Sequence, residues 1–215
     1  MAREIDTELN RQLDKVIAER RTIRSFTEEA PPKEHVEQVL RAGLLAPYAS
    51  VAVGDYKLFR RFFVMNKGGK AVTELAGIIK AGIIAAVRAM LDNIPEGAEP
   101  PPFAMRLKSV AEGGEIGFES VPCFVVVAEK RGMPPAELQS LAHVMENMWL
   151  KATALGMGFR LISAVSQQSD NPDFCKLLGL TPGEFALVGC ALGYATEWPP
   201  ATDRPPLDEV TAWLD

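Results

Sequence analysis

Pro122-Cys123-Phe124-Val125-Val126-Val127-Ala128 is an apolar run without a polar interruption. Successive strand residues point to opposite faces, so a strand of this kind needs apolar cover on both. It reads as the centre of a sheet with helices packed round it. Glu184 to Tyr194 (Glu-Phe-Ala-Leu-Val-Gly-Cys-Ala-Leu-Gly-Tyr) makes the same demand and predicts a second buried strand. Tyr56 to Met65 reads as a third strand, aromatic near its end, and Phe159 to Ser163 as a short strand or turn.

Helical signals lie between these runs. Leu13, Val16 and Ile17 form a stripe ending near Arg20. Pro31-Pro32 opens a second helix, with Val36, Val39, Leu40, Gly43 and Leu44 on its face, and Pro47 stops it. Lys70 to Leu91 reads as a long helix, Asp173 to Leu178 and Leu207 to Leu214 as short ones. From Pro134-Pro135 to Leu155, apolar residues recur at Leu138, Leu141, Met145, Met148, Ala152 and Leu155, with Ala142, Val144 and Trp149 on a second side. A helix apolar round most of its circumference belongs in a core or between subunits, and the pattern leaves both open. Residues 92–117 carry Pro95, Pro100-Pro101-Pro102 and Gly113-Gly114, so they form an irregular insert with a short helix near Phe103 to Val110. A lid, a partner-reaching segment or a disordered surface loop would each fit that composition. Prolines from Pro199 onward mark residues 199–215 as an extended arm. With no repeat and no clear second domain, residues 1–215 read as a single α+β domain round a mixed or antiparallel sheet.

Composition narrows the function. The net charge is −5, against general nucleic-acid binding. Cys123, Cys175 and Cys190 are widely separated, and with only His35 and His143 beside them no metal site is expected. The polar stretch Met1 to Asn10 lacks the apolar core of a signal peptide, and Lys80 and Arg88 interrupt the most apolar helix. A reducing cytoplasm with no membrane contact is the simplest expectation.

One basic cluster stands out in this acidic chain. Arg20-Arg21-Thr22-Ile23-Arg24-Ser25-Phe26 follows the first helix. In an extended segment Arg20, Thr22 and Arg24 project to one side, where guanidinium forks match phosphate oxygens. On spacing alone the alternatives are a cradle for one terminal phosphate or a solvated basic patch.

This motif resembles the flavin-phosphate segment of the nitroreductase family, FMN-dependent oxidoreductases of α+β fold. Ala46-Pro47-Tyr48-Ala49-Ser50 resembles its flavin-ring loop, Met145 to Gly158 its central helix and exit, and Asp203-Arg204-Pro205-Pro206-Leu207 its tail. The resemblance implies an intertwined homodimer whose central helix lies at the two-fold interface. It implies FMN as cofactor, with Arg20, Arg24 and Arg204 on the phosphate and Thr22 donating a hydrogen bond. Arg21 would contribute a backbone contact or face the partner. Pro47, Tyr48, Ala49 and Ser50 would wall one side of the ring, and Ile162, Ser163 and Ala164 the other, near N5. No residue is assigned as catalytic, because the flavin does the bond-making.

Two departures accompany the likeness. An Asn-x-Gln-Pro-Trp-like run usual in the family is replaced by Val51-Ala52-Val53-Gly54-Asp55-Tyr56, and Thr202 stands where lysine is common. The implied function is hydride relay from NAD(P)H to a nitroaromatic, quinone or related conjugated acceptor by a ping-pong mechanism. The alternative is a non-catalytic flavin- or nucleotide-binding module.

Overall fold

A computed structural model describes residues 4–48, 58–94, 99–100, 102–112 and 121–214. Its elements are α1 (Thr7–Glu19), α2 (Lys33–Leu44), β1 (Arg60–Asn66), α3 (Lys70–Asp92), α4 (Pro102–Ala111), β2 (Cys123–Lys130), α5 (Glu137–Ala154), β3 (Gly158–Ile162), α6 (Pro172–Leu177) and β4 (Phe185–Gly193). Short 3-10 turns cover Ser163–Gln168 and Leu207–Glu209. The four strands form one antiparallel sheet in the order β1-β2-β4-β3. β2 is indeed interior, hydrogen-bonded to β1 on one side and β4 on the other.

Its alternation explains the layers. Phe124, Val126 and Ala128 face a core shared with Leu75 and Ile79 of α3 and Phe174 of α6. Cys123, Val125 and Val127 face the opposite core, closed by Val39 of α2 and Val144 and Met148 of α5. A strand buried on both faces therefore has a helical layer on each side, as its composition demands.

Several boundaries differ from the sequence reading. β1 starts at Arg60, and Leu58 and Phe59 precede it in a bend. α5 starts at Glu137, past Pro134-Pro135. The insert helix spans Pro102–Ala111, close to expectation. α5 buries one face, through Leu141, Val144, Met145 and Met148, while Leu138 and Ala142 stay exposed. The expected helix from Leu207 to Leu214 shrinks to a single turn over Leu207–Glu209. The reason is lack of cover: Leu207, Val210, Trp213 and Leu214 are all exposed, and an isolated segment this short does not hold a helix in water.

α5 ends at a glycine required by its backbone. Gly156 has φ +70°, its N–H reaches the Thr153 carbonyl, and the Met157 N–H reaches Ala152. That is a Schellman closure.

The three cysteines are free and buried. Burial pushes the Cys123 thiol up to about 11 and raises Cys175 and Cys190 as well. Thiolate is the reactive form, so a disulfide reagent at pH 8 is expected to modify almost none of them in the native chain. All three should react in denaturant. Rapid native labelling would contradict the buried placement.

Candidate functional site

The basic segment leaves α1 at Arg20, whose N–H caps the helix through the Val16 carbonyl. It then runs along the open edge of β3. Thr22 forms a parallel bridge with Phe159, and the Ile23 N–H donates to the Phe159 carbonyl at 3.0 Å. Farther on, Phe26 bridges Ala195 and the Thr27 N–H donates to Tyr194 at 2.8 Å. Ile23 is the anchor, with 1% exposure. It fits because Gly158 has no side chain; a Cβ there would lie 2.8 Å from Ile23 Cγ1. One buried isoleucine thus holds a run of arginines against the sheet edge.

Each arginine is held differently. The Arg20 guanidinium stacks 4.3 Å from the Trp149 ring centroid, and its Nε is 3.2 Å from a Glu146 carboxylate oxygen. Trp149 is itself fixed, stacked on Phe159 and donating from Nε1 to the Arg21 carbonyl at 3.1 Å. Arg21 folds back, donating from Nη1 to the Ala18 and Arg20 carbonyls, and its Nε is buried without a partner among the described residues. Arg24 and Arg204 are exposed and enter no ion pair among the described residues.

These groups line one cavity of about 460 Å³. Arg20, Arg21, Thr22 and Arg24 form one wall, and Pro199 to Thr202 with Arg204 form the other. No carboxylate occurs among the described lining residues. Four guanidinium groups and two threonine hydroxyls line this cavity, and of the four only Arg20 is paired with a carboxylate, that of Glu146, so the wall is net positive. The two ends of the chain build it together. Thr202, Pro199 and the Arg20 supports Glu146 and Trp149 are additions to the sequence reading. Their signal was faint: Glu146 and Trp149 are three apart on α5, a spacing that puts them on one helix face.

Ile162, Ser163 and Ala164 lie three to five residues beyond Phe159, at the end of β3 and the turn after it. The Ile162 side chain is buried in the core, Ala164 packs against that core, and Ser163 is exposed. None of the three lines the arginine cavity. Pro47 is exposed and Tyr48 half-buried, while Ala49 and Ser50 lie outside the described residues.

Tyr48 sits at the far end of the sheet. Its Oη donates to the Lys130 carbonyl at 3.0 Å, and its ring lies 4.5 Å from Phe59. The register pairs Phe159 with Leu192 and Leu192 with Cys123, seven residues along β2 from Lys130. At ~3.3 Å per residue, that separates Tyr48 from Thr22 by more than about 20 Å. Within one chain, Pro47 and Tyr48 are therefore not brought to the arginine cavity.

The elements around Tyr48 hold a buried ion pair. Arg60 Nε donates to Glu129 Oε2 at 2.7 Å, both side chains lacking exposure. Burial pushes the Glu129 carboxyl above the usual carboxylate range, and the adjacent guanidinium opposes the shift.

No group of histidine, cysteine, aspartate and glutamate able to hold a metal occurs among the described residues. None of their helices is long and apolar enough to cross a membrane.

A nitroreductase with bound FMN from Bacteroides fragilis superposes with TM-score 0.69 at 20% identity, covering 95% of this chain and 99% of that one. A BluB-like flavoprotein from Clostridium difficile gives 0.71 at 17% identity, covering 94% and 99%. A nitroreductase with bound FMN from Desulfitobacterium hafniense gives 0.66 at 24% identity, covering 95% and 98%. These likenesses establish a common fold. No curated protein sequence matches the chain. The model of the nitroreductase family matches residues 17–194, from the last turn of α1 through β4, and the chain belongs to that family.

Proposed function

We propose that this chain is an FMN-dependent oxidoreductase that relays hydride from NAD(P)H to a nitroaromatic, quinone or related conjugated acceptor. The observation that carries the reading is the cavity lined by Arg20, Arg21, Thr22, Arg24 and Arg204, with no carboxylate among its described lining residues. A phosphate monoester carries nearly two negative charges at neutral pH, and such a cavity suits it. Arg24 and Arg204 supply uncommitted charge, Arg20 is oriented by Trp149 and Glu146, and Thr22 adds a hydroxyl. Bound there, FMN would supply the hydride chemistry for donor and acceptor in turn. Ser163 and the backbone of Ile162 and Ala164, about 10 Å along β3 from Phe159, suit the ring of the same cofactor. Tyr48 is better suited to packing than to proton donation, because its hydroxyl already donates to Lys130.

The working unit in this reading is a homodimer of single-domain chains, with each site shared. Pro47 and Tyr48 lie too far from their own chain's arginines to touch the same cofactor, so a second copy must bring them. Exposed apolar residues support this: Leu9, Leu13 and Ile17 on α1, Leu138 on α5, Leu161 on β3, and Trp213 at 90% exposure in the arm. Unpaired thiols at Cys123, Cys175 and Cys190 suit a cytoplasmic location.

The deciding experiment is an absorbance spectrum after reconstitution with FMN and desalting, followed by anaerobic NAD(P)H. The expected result is a retained flavin band that bleaches, then recovers on addition of a quinone or nitroaromatic. A retained band that does not bleach would favour the non-catalytic flavin-binding module, a reading that draws on the Val51 to Tyr56 departure. No retained flavin would remove both readings.

A further inference from the structure

The Arg60 guanidinium does more than neutralise Glu129. Its Nη1 donates to the Gly43 carbonyl at 3.0 Å and to Ala46 at 2.9 Å, with Leu44 at 3.4 Å, and its Nη2 donates to Pro47 at 3.4 Å. These carbonyls belong to the last turn of α2 and the chain just after it, where the helical ladder has ended, and Gly43 also accepts the Ala46 N–H at 3.1 Å. The guanidinium also lies at the negative end of the α2 dipole. Glu129 faces Arg60 directly across the β1–β2 ladder. The next residue, Lys130, accepts the Tyr48 hydroxyl and donates its N–H to the Phe59 carbonyl at 2.7 Å. Residues 43–48 are thus pinned at both ends to one corner of the sheet, by a fork on four carbonyls and by a phenol.

Stability alone is a poor explanation for such a pair. A buried ion pair contributes little against apolar side chains of the same volume, because both charges must be desolvated. What an apolar pair could not do is hold several carbonyls in a set geometry. We propose that Arg60, braced by Glu129, is a positioning residue: it fixes the 43–48 turn so that Pro47 and Tyr48 stand as a preformed wall for the flavin ring bound at the arginine cavity of a second copy. This inference rests on the proposed flavin function.

The test uses Arg60→Lys, which keeps the cation but not the planar fork, and Glu129→Gln, which keeps an acceptor for Arg60 Nε. FMN and riboflavin affinities and the midpoint potential of bound flavin are measured well below the thermal transition. Both affinities are expected to fall together, by roughly tenfold for a wall displaced by less than an ångström, and the potential to shift. The ratio of FMN to riboflavin affinity should not change, because the phosphate cavity is untouched. A lower melting temperature with unchanged affinities and potential would reduce Arg60 to a stability role and overturn the proposal. Tyr48→Phe removes one tether without disturbing the buried pair, and is expected to shift the potential in the same direction by less. If neither ion-pair variant folds, this third variant decides: a potential equal to wild type overturns the proposal. Wild-type protein that binds no flavin removes the functional reading and the inference with it. Flavin binding in wild type with insensitive variants removes the inference alone.

Discussion

Arg24→Ala is expected to weaken FMN binding by about 2–3 kcal/mol, a loss of tens to roughly a hundredfold in affinity. Arg24 is the cleanest probe of the cavity. Its side chain is exposed and has no ion-pair partner among the described residues, so its removal leaves the fold without an orphaned charge. Arg20 is a poorer probe, because truncation would also uncover the Trp149 face and strand Glu146. Riboflavin, which lacks the phosphate, should bind wild type and Arg24→Ala equally. Fluorescence titration with both ligands separates the outcomes. An equal loss for both would mean that Arg24 acts on the ring or the fold, and unchanged FMN affinity would remove it from the phosphate site. Arg204→Ala should behave alike, despite lying at the other end of the chain, because both line one cavity.

That convergence was partly legible in the sequence. The apolar runs of β2 and β4 have only one physical outcome, a strand covered on both faces, so their interior positions followed from composition. For the arginine segment, alternation in an extended chain separates Thr22 from Ile23, and Ile23 is the buried member, while spacing alone left a phosphate cradle and a solvated basic patch both open. What joins the segment to β3 is tertiary: the bridge from Thr22 to Phe159 depends on a bare Gly158, which the sequence offered only as part of a helix exit.

The Arg60–Glu129 pair was missed, though a signal existed. Arg60 and Arg61 are adjacent, so period-two alternation must send them to opposite faces. Phe62 packs with the α2–α5 core and Phe63 with the α3 core, which puts Arg60 on the α2 side. Glu129 continues the Val125 and Val127 face of β2, where a carboxylate needs a cation. Only the β1–β2 register, absent from the sequence, matches the two. The arm failed for another reason. Its apolar residues predicted a helix from Leu207, yet a single chain offers them no surface.

Those uncovered residues bear on the second large effect, which concerns which chain supplies which wall. Burying Leu9, Leu13 and Ile17 would stabilise an assembly by on the order of 1–2 kcal/mol each, and Trp213 and Leu214 would add to that. Dilution is accordingly expected to yield no well-folded monomer by sedimentation. Subunit complementation tests the shared site directly. Arg24→Ala leaves the ring wall intact, and Tyr48→Glu leaves the phosphate cavity intact while setting a negative charge against the reduced flavin. Each homodimer should lose most of its NAD(P)H-dependent activity. In a mixed dimer, one site combines the intact cavity of the Tyr48→Glu chain with the intact wall of the Arg24→Ala chain, and the other carries both lesions. Coexpressed and purified through two different tags, the heterodimer should therefore recover close to half of the wild-type turnover and about one tightly bound FMN per dimer. If each chain built its own site, every site in the heterodimer would carry one lesion and no activity would return. The separation of more than about 20 Å along β2 is what makes the first outcome the expected one.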